Sequence, residues 1–456
     1  MLFNSIHFLI FFPVVTTLYF VLPHRLRWVL LLVASCYFYM DFIPVYILIL
    51  IFTILIDYYA GILIEQAVGK RRKQYLALSL VANVGVLAVF KYYNFFIENI
   101  NTVLGTVGQS QLAYWHLILP IGLSFHTFQA MSYTIEVYRG NYPAERHLGY
   151  YALYVLYYPQ LVAGPIERPQ NIIHQFKTKH TFNYQNAVDG MKLMAYGLFK
   201  KVVIADNLAA YVDAYYAGVQ TQPATNSLVA MLLFSIQIYC DFSGYSDMAL
   251  GTSKVMGIEL MKNFSFPYFS HSITEYWRKW HISLSTWFRD YLYISLGGNK
   301  KHKHRNVFIV FMISGFWHGA NWTYIIWGAI HGSLQILEDI FKLRQNKGVI
   351  AFLYTNALIA LAFVFFRSPD LSTAFRVFAN MGAPQMDWQN PLLSKKILLV
   401  TGLFIIGEYW LSHREYLSTL NTLRKPLRYG IYYALVLAVV FLGRFGGGNQ
   451  FIYFQF

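Results

Sequence analysis

The chain has 456 residues, 57% of them hydrophobic and only 12% charged, with a formal net charge of +15. A soluble globular domain carries about 25% charged residues, and no larger water-soluble core accounts for such a deficit. The composition excludes a string of soluble domains and points to one membrane-embedded domain over residues 1–456.

Residues 2–22 form the first apolar run. No basic region leads it, and its first basic group follows it, which argues against a cleaved signal peptide and for an N-terminus outside the membrane with His24 to Arg27 inside. Further candidate spans are 28–40, 42–64, 75–97, 114–135, 148–164, 187–217, 227–256, 306–317 with 320–341, 349–367, 396–412 and 429–444. The fold expected is an all-α polytopic integral membrane protein with roughly ten to twelve spans plus re-entrant or interfacial helices. Two candidate spans separate Arg27 from Lys70, so both basic loops fall on one side, as the positive-inside rule requires. The clusters Lys70 to Lys73, Lys300 to Arg305 and Arg424 to Arg428 are likewise short connections between apolar runs. That placement explains the net charge without a nucleic-acid partner. Cys36 and Cys240 lie in apolar stretches, give no disulfide framework or zinc pattern, and read as small buried residues.

Polar groups at membrane depth are expensive and need a reason. Asp57 and Lys91 are deep by position, and the sequence leaves their pairing open. His126 shares a candidate span with Ser124 and Gln129, which suits hydrogen bonding between helices. Gly164 to Pro169 is a turn-rich exit from a span, with Glu167 and Arg168 as a possible pair. Asp241 and Asp247 are six residues apart, so a straight helix puts them on different faces; satisfaction of the bundle is favoured over cation binding.

Residues 262–305 differ from their surroundings. Charges are too frequent for a free span, while Trp277, Trp280, Leu284 and Trp287 recur at helical spacing, as in an amphipathic helix at the interface or tucked into the bundle. His281 lies here, either as an interfacial residue or as a second catalytic or orienting histidine. Arg289 and Asp290 are either an ordinary ion pair or the positioners of a donor. Next comes the apolar block Ser314-Gly-Phe-Trp-His-Gly-Ala-Asn-Trp-Thr-Tyr324, which leads to His331. On one continuous helix His318 and His331 would be turned roughly 140° apart and about 20 Å along the axis, so they need not share a site. Gly319 and Asn321 permit a break after His318 that would line a cavity. His318 then reads either as a general base for a hydroxyl nucleophile or as a hydrogen-bonded histidine between helices. No G-x-S-x-G and no H-E-x-x-H occurs, so neither a serine elbow nor a metal site is expected.

Several stretches together resemble the membrane-bound O-acyltransferase family, in particular its alginate-type branch of bacterial polysaccharide O-acetyltransferases. They are Asp241-Phe-Ser-Gly-Tyr-Ser-Asp247, Tyr276 through Asp290-Tyr-Leu-Tyr293, Gly315-Phe-Trp-His-Gly-Ala-Asn-Trp322 and the ending Phe451-Ile-Tyr-Phe-Gln-Phe456, with Leu161 to Pro169 in support. The resemblance implies irregular helices around a central funnel in a bacterial inner membrane. It implies acyl transfer from cytosolic acetyl-CoA to an extracytoplasmic acceptor, an exported polysaccharide reached through a hydrolase-like partner protein. It makes His318 the base and His281 its companion, with Trp317, Asn321, Trp280, Arg289 and Asp290 as substrate-binding residues, and it implies no resident metal or permanently bound cofactor. His331 and His126 are expected to be structural. The rival within the family is D-alanyl transfer from a carrier-protein thioester. Outside it, a transporter or a scaffold of an export complex would use the same polar residues differently.

Overall fold

The computed structural model describes the whole chain except residues 163, 222–223, 383–393, 413, 415, 446–450 and 453–456. Among the described residues every regular element is helical and no strand occurs. The chain divides into two compact units, residues 1–188 with 252–261 and residues 189–251 with 262–456.

The first unit holds α1 (Ile6–Val21), α2 (His24–Met40), α3 (Ile47–Gln66), α4 (Lys70–Leu87), α5 (Tyr93–Thr106), α6 (Leu123–Arg139), α7 (Leu148–Leu156), the single turn α8 (Tyr158–Leu161) and α9 (Pro169–Lys177). Helices α3, α4 and α6 pack on one another, and polar groups fasten them. Asp57 accepts hydrogen bonds from Ser79 Oγ at 2.6 Å and Asn83 Nδ2 at 2.8 Å, and Ser79 also reaches Thr134. Asp57 therefore rests on hydroxyl and amide donors, while Lys91 faces Ser124 at 3.5 Å. His126 sits 2.7 Å from Thr53 Oγ1 on α3, the interhelical bond its position suggested. At the exit turn Glu167 accepts from the Met261 backbone N–H at 2.5 Å and from Asn171 at 3.2 Å. Ala163, within the stretch Leu161 to Pro169, lies outside the described residues.

The second unit holds α10 (Tyr184–Leu198, whose first residues belong to the first unit), α11 (Asp206–Ala217) and α12 (Ala224–Val255). It continues with α13 (Ile273–Lys279), α14 (Ile282–Trp287), α15 (Lys303–His318), α16 (Trp322–Ile340) and α17 (Val349–Arg367). It ends with α18 (Leu371–Met381), α19 (Lys395–Leu411), α20 (Tyr416–Thr422) and α21 (Lys425–Leu442). A π-helical stretch, Phe199–Ala205, joins α10 to α11, and another, Phe288–Tyr293, follows α14. The core is aromatic: Phe234, Tyr276, Trp280, Trp327, Phe363 and Phe366 are all buried in it.

Among the described residues five stretches are long and apolar enough to cross a membrane: Pro44–Gln66, Lys70–Thr106, Thr225–Val255, Val349–Arg367 and Lys425–Leu442. Several other apolar runs resolve into shorter or more polar pieces. Run 114–135 is irregular until α6 begins at Leu123, 148–164 breaks at Tyr157, and 306–317 belongs to a 16-residue helix. Run 187–217 carries buried Lys200, Lys201 and Asp206 and changes helical type at Phe199. The tryptophan stripe of residues 277–287 is carried by two short helices rather than one. The chain turns at His281, whose φ of 44° places it in the left-handed region that few residues other than glycine adopt.

Candidate functional site

The sequence-nominated site residues all lie in the second unit. Helices α15 and α16 pack so closely that a Cβ on Gly315 would stand 2.3 Å from the Tyr324 carbonyl oxygen, and one on Gly328 would stand 2.3 Å from that of Phe311. Small residues allow such contact between membrane helices. At the top of this pair α15 stops at His318, Gly319 is extended, and Asn321 caps α16 by accepting the Thr323 N–H at 3.0 Å. The break suggested by Gly319 and Asn321 is therefore present. It leaves His318 at a helix end, 4% exposed and walled by Trp317, Trp327 and Phe366 with ring centroids 4.9, 5.2 and 5.4 Å away.

His281 is fully buried, with Nδ1 3.0 Å from Asn263 Oδ1. The same oxygen accepts the backbone N–H of Ser283 at 3.3 Å and its hydroxyl at 2.9 Å. A backbone N–H can only donate, so this atom of Asn263 is the oxygen and His281 Nδ1 must carry a proton. In the neutral ring Nε2 then holds the lone pair, which suits accepting a hydrogen bond from a hydroxyl. The Trp317 ring bridges the two histidines, 6.4 Å from His281 and 4.9 Å from His318.

The remaining nominated residues divide. Trp280 is buried, stacked on Tyr276 at 5.5 Å and packed edge-on against Phe264. Asn321 spends its carbonyl on the cap and its amide on Pro369 O at 2.7 Å, so both ends of its side chain have local partners. Arg289 and Asp290 form an exposed ion pair at 2.7 Å. Arg289 also lines a cavity of about 560 Å³, together with Trp277, Arg278, Lys303, Ser314 and Arg344. Ser314 is one turn from His318 on α15, so the cavity runs beside the helix that carries the histidine. Lys303 and Arg344 are bound to Asp339 at 2.5 and 3.2 Å, whereas Arg278 is exposed and faces the cavity without an acidic partner among the described residues.

His331 is fully buried one helix away. Trp277 donates its indole N–H to His331 Nδ1 at 3.3 Å, and the Trp327 ring lies 4.8 Å from it. Among the described residues no cluster of three or more histidine, cysteine or acidic side chains is gathered as for a metal ion.

Asp241 and Asp247 belong to a buried charge network whose cations sequence reasoning missed. Lys200 is 2.5 Å from Asp247, and Lys201 is 2.6 Å from Asp241 and 2.8 Å from Asp206. Adjacent helical residues point in clearly different directions, and both lysines are enclosed because all seven residues of the π stretch are buried. Gly197 and Gly244 bring α10 against α12 at this level, since a Cβ on either would meet the other's carbonyl within 2.6 Å. Asp241 also accepts the Ile452 N–H at 2.7 Å, which ties the C-terminal motif to the network. Residues 453–456 of that motif lie outside the described residues. The adjacent lysines inside an apolar run were the available signal.

A helical membrane protein with a buried histidine at a helix break, a second histidine on another segment and a cation-lined cavity alongside has the outline of an intramembrane transferase. Its sequence matches the model of the membrane-bound O-acyltransferase family over residues 17–367. The chain belongs to that family and is an O-acyltransferase. It is 40% identical over 400 residues to a probable alginate O-acetylase of Azotobacter vinelandii, covering 84% of this chain and 78% of that protein. It is 37% identical over 387 residues to a peptidoglycan O-acetyltransferase of Helicobacter pylori, covering 77% and 73%. A teichoic acid D-alanyltransferase of Bacillus subtilis is 29% identical over 244 residues, covering 51% and 62%.

Proposed function

We propose that this protein moves an acetyl group from cytosolic acetyl-CoA to the hydroxyl of an extracytoplasmic acceptor, with His318 as general base. The carrying observation is the position of His318, buried at the end of α15 one turn beyond Ser314, which lines the cavity that Arg278, Arg289, Lys303 and Arg344 also line. Four cations around one cavity suit a donor bearing several phosphates. Lys303 opens α15 at the Lys300 to Arg305 loop, a basic segment assigned to the cytosolic side by the positive-inside rule. The relatives named for O-acetylation support acetyl as the group transferred.

The reaction proceeds as follows. The acceptor oxygen attacks the thioester carbonyl carbon while His318 takes the hydroxyl proton, and the carbonyl π pair moves onto its oxygen. Collapse of the tetrahedral adduct breaks the C–S bond. The proton on His318 goes to the departing sulfur, leaving an acetyl ester and a free thiol. His281, its ring fixed by Asn263, packs beside the acceptor, and Trp317 and Trp280 shape the wall between the two histidines. Arg289, paired with Asp290, serves the donor, and Asn321 holds the helix break that presents His318. The chain crosses a bacterial inner membrane roughly ten to twelve times around a central funnel, counting the shorter helices, with its N-terminus outside. A hydrolase-like extracytoplasmic partner passes the acetyl group to an exported polysaccharide.

The test is mass spectrometry of cell-surface glycans with and without this protein, in cells fed isotope-labelled acetate. Loss of labelled O-acetyl esters supports the reading, and an unchanged ester content overturns it. Loss of D-alanyl esters instead would favour the carrier-thioester reading, which the more distant D-alanyltransferase relatives represent.

A further inference from the structure

Helix α16 presents a row of buried polar groups on the face beside His318. Thr323, Trp327 and His331 follow at four-residue intervals, so their side chains stack along one face. All three are essentially fully buried. Thr323 Oγ1, Trp327 Nε1 and His331 Nε2 have no hydrogen-bond partner among the described residues. Buried donors left unpaired are costly and rare enough in folded proteins that each needs an explanation.

Two of these groups can only donate, while the Thr323 hydroxyl can also accept. Indole Nε1–H can only donate. His331 accepts from Trp277 at Nδ1, so the proton of its neutral ring is on Nε2, and that nitrogen donates as well. Trp327 is the one packed directly on His318: its ring meets the His318 ring at 5.2 Å and 89°, edge to face. Trp277, Phe366 and His331 hold it on its other sides, at 5.5, 5.1 and 4.8 Å. The indole is thus fixed before any substrate arrives.

Acyl transfer needs a donor at the place where negative charge develops. His281 is poorly suited, since its Nδ1 proton is committed to Asn263 and its Nε2 holds a lone pair. We infer that the indole N–H of Trp327 donates to the thioester carbonyl oxygen as it becomes an oxyanion, a catalytic role that rests on the general-base reading of His318. The carbonyl π pair moves onto that oxygen when the acceptor attacks and returns when the C–S bond breaks. The N–H keeps its proton throughout. A preorganised donor in a dry site is worth roughly 10²–10³ in turnover, because it does not have to reorganise during the reaction.

The test uses the full-length protein in native membrane vesicles, with [1-14C]acetyl-CoA as donor and base-labile label in envelope material as readout. Trp327→Phe removes the N–H and keeps an aromatic ring. A second variant carries 3-benzothienylalanine at 327, which replaces N–H by sulfur at nearly unchanged shape, so it decides the matter even if the phenylalanine variant folds poorly. Both are expected to lose roughly 100-fold in kcat, with the donor KM changed by less than about threefold and the thermal midpoint of the benzothienyl variant preserved. Wild-type turnover in the benzothienyl variant would overturn the assignment, whatever the phenylalanine variant does. His318→Gln is run in parallel. Full activity there sinks the general-base reading, whereas an inactive His318→Gln beside a fully active benzothienyl variant sinks only the role of Trp327.

Discussion

His281 Nδ1 donates to Asn263 Oδ1 across 3.0 Å, from a residue whose backbone is itself left-handed at φ 44°. Three donors converge on that one oxygen: the His281 ring, the Ser283 N–H and the Ser283 hydroxyl. The bond therefore fixes both the tautomer and the direction of the ring. Asn263→Ala is expected to lower kcat by at least about tenfold, part of the 10²–10⁴ that a positioned acid or base contributes. The donor KM should hardly move. Steady-state kinetics of acetyl transfer check this, and a wild-type kcat in a folded Asn263→Ala protein would remove His281 from the chemistry.

Among the described residues Arg278 lines the cavity without an acidic partner, unlike Lys303 and Arg344. Arg278→Ala should raise the KM for acetyl-CoA by roughly 5- to 30-fold, equivalent to about 1–2 kcal/mol of charge-assisted hydrogen bonding. Turnover at saturation should stay within about twofold. The wild-type KM should rise with ionic strength and the variant's should rise less, since screening weakens exposed charges. An unchanged KM would place the donor elsewhere.

Lys201 neutralises two buried carboxylates, Asp206 and Asp241. Lys201→Met removes the cation that both carboxylates share, and breaking a buried ion pair typically costs about 3–5 kcal/mol. The variant should unfold well below the wild type in detergent thermal scans. Adding Asp206→Asn and Asp241→Asn should recover much of the loss. A single variant as stable as the wild type would show that the network does not carry the fold.

Gly315 has no room for a side chain, with the Tyr324 carbonyl oxygen 2.3 Å from where its Cβ would stand. Gly315→Val should separate α15 from α16, at the upper end of or above the roughly 1–3 kcal/mol typical of overpacking. Because His318 sits one turn beyond, transfer should fall more steeply than stability. Comparing residual activity with the thermal midpoint tests this, and a variant with normal activity would contradict the close packing.

Much of this was legible in the sequence for identifiable reasons. The helical class follows from composition, and the break after His318 from Gly319 and Asn321, because glycine and a capping asparagine have local effects. His126 was correctly read as an interhelical partner, and the motifs pointed to the right family. What the sequence hid is non-local or depends on unusual backbone. The left-handed turn at His281 splits an amphipathic stripe that looks continuous by spacing alone. The π stretch at Phe199–Ala205 is buried on all sides, so Lys200 and Lys201 meet separate carboxylates that lie far along the chain. Asn263 is eighteen residues from His281 and carries no motif of its own. Arg344 joins the cavity from beyond the end of α16.

The central claim is that His318 takes the acceptor's proton. The most direct measurement is the rate of transfer from [1-14C]acetyl-CoA to base-labile envelope esters in vesicles containing His318→Gln, a change that keeps hydrogen bonding but removes a titratable base. With insertion and thermal midpoint matched to the wild type, the account predicts a loss of at least about 100-fold in kcat and little change in donor KM. A His318→Gln protein that transfers acetyl groups at the wild-type rate would contradict it.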